Sequence, residues 1–146
     1  MTQNKLKGLE KKVKNIYDYG CYFLDLLYVA KCREPILEEI VTYYDTFITE
    51  GWMEENCFVK NPCAILNYLT GRKFSVTKDV VLDPSATYII GYFYNPTTNL
   101  HHFVVMNKDN KVIWDSLENS NTVKNGFIES YRLFRGLTDV NWRRYC

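Results

Sequence analysis

The hydrophobic period of the chain changes near residue 71, and this change limits the folds that the chain can adopt. Before that point, apolar residues recur at helical spacing, most clearly over residues 36–48. After it, β-branched and aromatic runs alternate with turn residues, which is typical of strands. Helices first and strands later predict an α+β domain, with N-terminal helices packed on a C-terminal antiparallel sheet.

Capping residues and apolar runs together predict the helical segments. These are residues 5–15, 22–31, 35–50 and 61–70. The first, KLKGLEKKVKN, is strongly basic and is predicted as an amphipathic helix or an arm. The second is apolar except for Asp25 and Lys31, which indicates a nearly buried helix.

The second half of the chain predicts short strands. They cover residues 74–76, 79–82, 86–94, 101–107, 111–115 and 131–134. The turn at residues 108–110 joins two of these strands into a hairpin. This hairpin carries both histidines of the chain, His101 and His102.

Length and charge exclude several classes of protein. A chain of 146 residues is the size of one domain, so we expect a single domain over residues 1–146, with residues 1–14 as an arm or helix. The net charge of +1 argues against a dedicated nucleic-acid binder, which normally has an excess of basic residues. Neither a membrane-spanning stretch nor the apolar core of a signal peptide is present in the sequence, so we expect a cytoplasmic protein without a membrane partner.

The cysteine pattern argues against a disulfide framework and against a zinc site. Five cysteines at irregular spacing, without a Cys-x-x-Cys motif, favour a reduced chain. Cys57 and Cys63 lie six residues apart, and no second pair repeats that spacing. We therefore expect neither a metal nor another cofactor.

Cys21 is the candidate nucleophile. It begins a buried helix directly after Gly20, and the free N–H groups and dipole of a helix N-terminus favour a thiolate. Gly20 leaves room for a substrate backbone. Tyr19 and Tyr22 are candidate substrate-binding residues, with core packing as the alternative interpretation.

The predicted hairpin supplies a candidate base and its orienting group. If Asp109 and Asn110 are the two turn residues, Asp115 faces Val104 and lies diagonal to His102 on the same face. A loop one residue longer would select His101 instead. A thiolate, an imidazole and a carboxylate are the groups that nucleophilic acyl transfer requires, although each residue also has an ordinary structural interpretation.

Three short segments carry a resemblance to a known family: Gly20-Cys21-Tyr22-Phe23, the segment beginning at His102 (HFVV), and Trp114-Asp115. They resemble the papain-like cysteine peptidases. The nearest likeness is to the compact bacterial branch with the leader-peptide-cleaving domains of bacteriocin exporters. Similar GCYF and HFV segments occur in phage and plasmid-borne proteins.

The resemblance implies a papain-like fold and a role for each matching residue. Cys21 would be the nucleophile, His102 the base and Asp115 the orienting group. The family has a Gln oxyanion donor six residues before the nucleophile, and Asn15 occupies that position here. Asp18, if it lay close, would raise the pKa of the Cys21 thiol.

Two principal interpretations of function follow. The first is a cysteine peptidase, or a related thiol-dependent amide hydrolase or acyl transferase, that acts on a peptide or protein. The second is a catalytically inactive papain-like binding module of a phage or mobile element that binds or inhibits a host protein. A structural protein of a phage particle is a third.

Overall fold

The computed structural model describes residues 3–137, so residues 1–2 and 138–146 of the predicted domain lie outside the described part. Four helices occupy the first half: α1 (Gln3–Tyr19), α2 (Cys21–Lys31), α3 (Leu37–Thr49) and α4 (Pro62–Thr70). The second half contains β1 (Phe74–Asp79), β2 (Tyr88–Asn95), β3 (Leu100–Met106), β4 (Val112–Trp114), α5 (Asn121–Lys124) and β5 (Phe127–Gly136). Across the described residues, none of the helices combines the length and apolar character that crossing a membrane requires.

The strands form one antiparallel sheet in the order β1-β5-β2-β3-β4. The hairpins β2–β3 and β3–β4 are local, whereas β5 returns to lie between β1 and β2. The prediction of an α+β domain with N-terminal helices on a C-terminal antiparallel sheet is confirmed.

Alternate residues of the central strands contact two apolar clusters. Ile90 and Phe134 face the helices and join the cluster that contains Phe23 of α2. Ile89 and Val104 face the opposite side of the sheet in a second, smaller cluster. Burying each such side chain contributes about 1.5–3 kcal/mol relative to leaving it exposed. The larger cluster therefore fixes α2 on the face of the sheet.

The structure differs from the predicted elements at their ends. β5 extends well beyond residues 131–134 and pairs with a strand on each side. The charged residues Glu129, Arg132 and Arg135 interrupt the apolar pattern, so the sequence predicts only part of this strand. The predicted strand at 79–82 is wrong: β1 ends at Asp79, and Val80 and Val81 are exposed. The sequence pattern does not predict helix α5, although Ser120 caps it by accepting a hydrogen bond from the Val123 N–H.

Gly20 alone separates α1 from α2, and the two helices meet too closely there for any side chain. The Gly20 N–H donates to the Ile16 carbonyl at 2.8 Å. A Cβ at Gly20 would lie 2.3 Å from the Ile16 carbonyl oxygen. The glycine therefore allows α2 to start at Cys21 directly against the end of α1.

We predict that Gly20→Ala lowers the free energy of unfolding by about 1–3 kcal/mol, because backbone atoms of Ile16 occupy the space of the new methyl group. Gly51→Asn is the control: a Cβ at that position would meet no atom within 4 Å, and asparagine tolerates the positive φ of 80°. Chemical denaturation measures both. Equal stability of Gly20→Ala and the wild-type chain would contradict this account of the junction.

Candidate active site

Cys21 lies at the N-terminus of α2, where its sulfur contacts strand β3. The Phe103 backbone N–H donates to Cys21 Sγ at 3.5 Å. Phe103 directly follows His102, so this contact places the thiol beside the strand segment that carries the candidate base. The helix and the strand are held in this arrangement by the larger apolar cluster.

Burial, together with the smaller effect of the nearby Asp25 carboxyl, raises the pKa of the Cys21 thiol to about 12. The backbone N–H groups of Phe103, Tyr22 and Cys21 act in the opposite direction, and the one from Phe103 donates a hydrogen bond to the sulfur. Burial dominates this balance. The resting site therefore holds a neutral thiol at physiological pH.

His102 and Asp115 form a close pair. His102 Nε2 lies 2.6 Å from Asp115 Oδ1, and only 3% of His102 is exposed. Burial raises the pKa of Asp115, but hydrogen bonds from His102 and from the backbone N–H groups of Leu117 and Ser120 outweigh it, so that the pKa is lowered overall. Three donors thus fix the carboxylate, and the carboxylate fixes the imidazole.

Of the two hairpin registers that the sequence left open, the structure has the one that brings Asp115 to His102. Val105 lies opposite Trp114, which continues to Asp115 beside Val104, and a bulge shifts the register nearer the turn. His101 also lines the pocket that contains Cys21, but its ring stacks on Tyr92 with ring centroids 4.8 Å apart and does not pair with Asp115. The strand pairing therefore selects His102 as the partner of Asp115.

Cys21 and His102 line a common pocket of about 190 Å³. No hydrogen bond joins the two side chains, and the described residues supply no hydrogen-bond partner for His102 Nδ1. Since Nε2 is occupied by Asp115, Nδ1 is the ring nitrogen available for proton transfer in this pocket.

Two residues predicted for the site, Asn15 and Gly20, have structural roles in this fold. The Asn15 amide donates to the Glu55 backbone carbonyl at 3.2 Å and lines another pocket, so the structure does not bring it to Cys21. The absence of a side chain at Gly20 is required by the helix junction, since a Cβ there would meet the Ile16 backbone, and its role beside a substrate stays a prediction. Asp18 pairs with Lys14 at 2.9 Å, and the carboxyl that raises the pKa of the Cys21 thiol is Asp25.

Tyr19 and Tyr22 line a second, larger cleft of about 660 Å³ that also reaches Cys21. Tyr22 stacks on Phe103 with ring centroids 4.4 Å apart, so it combines a place in the cleft wall with packing against the sheet. Tyr19 is 61% exposed and forms part of the rim. Both positions agree with a candidate substrate-binding role, which stays a prediction.

Asp25 is a buried carboxyl that the sequence-based site did not include. It is completely buried, and neither of its oxygens has a hydrogen-bond partner within the described residues. Burial raises its pKa well above the ordinary value, and the charge of Asp115 raises it further. The only signal in the sequence was a single carboxyl within the apolar run, one helical turn after Cys21.

The remaining described cysteines lie outside the Cys21–His102 pocket. Cys57 and Cys63 are free thiols, and burial raises the pKa of both. Cys32 is disulfide-bonded, so the prediction of a fully reduced set of cysteines is wrong at this position. Over residues 3–137, no group of three or more His, Cys, Asp or Glu side chains is placed to bind a metal ion.

We predict that Asp25→Asn stabilises the protein, and that the gain grows as the pH rises. Asp25 keeps its proton in the folded chain at pH values where the unfolded chain loses it, because its pKa is raised well above 3.8. The stability of the wild-type chain therefore falls by about 1.4 kcal/mol for each pH unit between the unfolded-state and folded-state pKa values of Asp25.

Urea denaturation from pH 4 to pH 8 measures this effect. The matched control is Asp109→Asn, at an exposed turn residue, which should leave the pH dependence unchanged. An Asp25→Asn variant that is less stable than the wild type at pH 7 would contradict the assignment of Asp25 as a buried, protonated carboxyl.

The comparison with known proteins identifies a family but no activity. No curated protein and no solved structure matches the chain. One family model, described as "Protein of unknown function, DUF261", matches residues 1–136. Because that match covers most of the 146 residues, the chain belongs to the DUF261 family.

Proposed function

We propose that the protein is a papain-like cysteine peptidase, or a related thiol-dependent amide hydrolase or acyl transferase, acting on a peptide or protein. Its nucleophile is Cys21, its base is His102 and its orienting group is Asp115. The observation that carries the proposal is the 2.6 Å contact between His102 Nε2 and Asp115 Oδ1, next to a cysteine at a helix N-terminus.

In the proposed acylation step, Cys21 Sγ bonds to the substrate carbonyl carbon while its proton passes to His102 Nδ1. The carbonyl π electrons move to oxygen and give a tetrahedral intermediate. When the carbonyl reforms, the carbon–nitrogen bond breaks, and the proton on Nδ1 passes to the leaving amine. A neutral resting thiol fits this sequence, because the proton moves as the sulfur attacks.

Hydrolysis completes the proposed cycle. Water gives a proton to His102 Nδ1 and bonds to the acyl carbon, the carbon–sulfur bond then breaks, and the proton returns to Cys21 sulfur. An amine in place of water would make the reaction an acyl transfer. In both half-reactions Asp115 stabilises the protonated imidazole, since it accepts the hydrogen bond from Nε2.

Backbone groups are better candidates than Asn15 for stabilising the oxyanion. The N–H groups of Cys21 and Tyr22 lie in the first turn of α2, where a helix has unpaired donors, and both lower the pKa of the Cys21 sulfur. An oxygen formed next to that sulfur lies close to the same donors. The Asn15 amide is already bound to Glu55.

A second candidate function is an inactive papain-like module that binds a host protein. It is favoured by the neutral, buried Cys21 thiol, which has no hydrogen bond to His102. In this alternative, the larger cleft is a binding surface and Cys21 is a packing residue. We propose further that such a module originates in a phage or mobile element and acts in the cytoplasm.

We predict that Cys21→Ala abolishes amide hydrolysis, lowering kcat/KM by about 10³-fold or more, because no other group can form the acyl-enzyme. Cleavage of a diverse peptide mixture, followed by mass spectrometry, measures the loss. Cys63→Ala is the control, since Cys63 is a free thiol outside the Cys21–His102 pocket. Cleavage by Cys21→Ala at the wild-type rate would rule out the peptidase proposal.

We predict that substitutions of Asp115 lower kcat/KM to different extents. Asp115→Ala should lower kcat/KM by about 100-fold, and Asp115→Asn by about 10-fold, because an amide oxygen still accepts the Nε2 hydrogen bond of His102. Thermal denaturation of both variants controls for lost turn contacts to Leu117 and Ser120. Equal activity of the two variants would show that the orienting hydrogen bond does not contribute.

A further inference from the structure

We infer that the larger cleft beside Cys21 takes a substrate with a carboxylate next to an apolar segment, and that Arg132 and Lys78 bind this carboxylate. The inference rests on the proposed function, because it names the substrate class for the same thiol. It adds two residues that are remote from the proposed catalytic groups in sequence but line the same cleft as Cys21.

The two cations lie directly opposite each other in the sheet. Lys78 of β1 pairs with Arg132 of β5, so their side chains share one face. Like charges at such a position destabilise a sheet unless an anion lies between or beside them. Within residues 3–137, neither cation forms an ion pair with a carboxylate. The pair therefore has unused capacity to bind an anion.

Arg132 is held in position without neutralisation. Its guanidinium lies 5.3 Å from the ring centroids of both Tyr92 and Phe103, and one of its nitrogens donates to Ser130 Oγ at 2.9 Å. These contacts order the side chain but leave its charge intact. A half-buried guanidinium with remaining donors is well suited to a carboxylate, which it can bind through two parallel hydrogen bonds.

The same aromatic residues connect the cation to the thiol. Phe103 carries the Arg132 guanidinium over its ring and donates its backbone N–H to Cys21 Sγ. An anion bound to Arg132 would thus lie next to Phe103, in the cleft that Cys21 also lines. We therefore place the substrate carboxylate close to the bond that Cys21 attacks.

Much of the cleft wall is apolar. It includes Phe58, Val59, Pro62 and Val76, and Phe58 is 62% exposed. Desolvation of such a wall favours an aliphatic or aromatic segment of the substrate. The required carboxylate could belong to an acidic side chain or to a peptide C-terminus, and the recognition chemistry is the same for both.

The first test compares two small alkylating agents at Cys21 and needs no turnover. In both reactions the sulfur forms a bond to the CH₂ carbon and iodide leaves, but iodoacetate is an anion and iodoacetamide is neutral. The ratio of their rates, measured by peptide mapping, cancels differences in the ionisation of the thiol. We expect Arg132→Gln to lower this ratio by about fivefold and Lys78→Gln by about twofold.

Lys108→Gln is the matched control, because Lys108 is exposed in the β3–β4 turn and does not line the cleft. Its ratio should equal that of the wild type. Lys78 is exposed, so Lys78→Gln tests the inference even if Arg132→Gln does not fold. An unchanged ratio in folded Lys78→Gln or folded Arg132→Gln would overturn the inference, whether or not the protein cleaves any peptide.

The second test identifies the source of the carboxylate. Fluorescence anisotropy measures the binding of three labelled apolar peptides to the Cys21→Ala protein: a free C-terminal carboxylate, its C-terminal amide, and the amide with one internal Glu. Tighter binding of the first peptide supports a C-terminal carboxylate, and tighter binding of the third supports an acidic side chain. Equal binding of all three peptides would overturn the inference. An absence of peptide hydrolysis, by contrast, would count only against the proposed function.

Discussion

The hydrogen bond between His102 and Asp115 depends on one feature of the fold, the antiparallel register between β3 and β4. Side chains alternate along a strand, so a shift of one residue would point His102 away from Asp115 and bring His101 to that face. The bulge near the turn absorbs the irregularity, and the pairing of Val105 with Trp114 keeps the required register. The site is therefore a consequence of strand pairing.

The second constraint is the fixed position of α2. Gly20 allows this helix to begin directly after α1, and the apolar cluster holds the helix on the sheet. The same burial that places Cys21 against Phe103 also makes its thiol hard to ionise. A buried carboxyl at Asp25 increases this effect. For the proposed nucleophile, the fold thus favours a mechanism in which the proton moves during attack over one with a preformed thiolate.

Local periodicity in the sequence was sufficient for the fold class. The pairing of His102 with Asp115 depends on the bulge next to the turn, so the sequence left both histidines open as partners of Asp115. It was not sufficient where tertiary packing decides. Asn15 and Ile16 are adjacent, yet each residue of a helix points about 100° from the previous one, so Asn15 faces Glu55 while Ile16 lines the Cys21 pocket.

Arg132 and Asp25 were missed in the sequence for the same physical reason, which is that their roles depend on long-range packing. Arg132 reaches the cleft because β5 crosses the chain to lie between β1 and β2, a long-range pairing that no local pattern predicts. Asp25 was visible as an isolated carboxyl in an apolar helix, but only the packed structure shows that both oxygens lack partners among the described residues. Such positions depend on what packs against them.

The assignment of Cys21 and His102 as nucleophile and base is best tested with an epoxysuccinyl peptide, an electrophile that ordinary thiols open slowly. Peptide mapping by mass spectrometry locates the adduct on the protein. We expect an adduct on Cys21 that is lost in His102→Gln and retained in His101→Gln, since only His102 both shares the Cys21 pocket and pairs with Asp115. Equal modification of Cys21, Cys57 and Cys63, or modification of Cys21 that is unaffected by His102→Gln, would contradict the assignment.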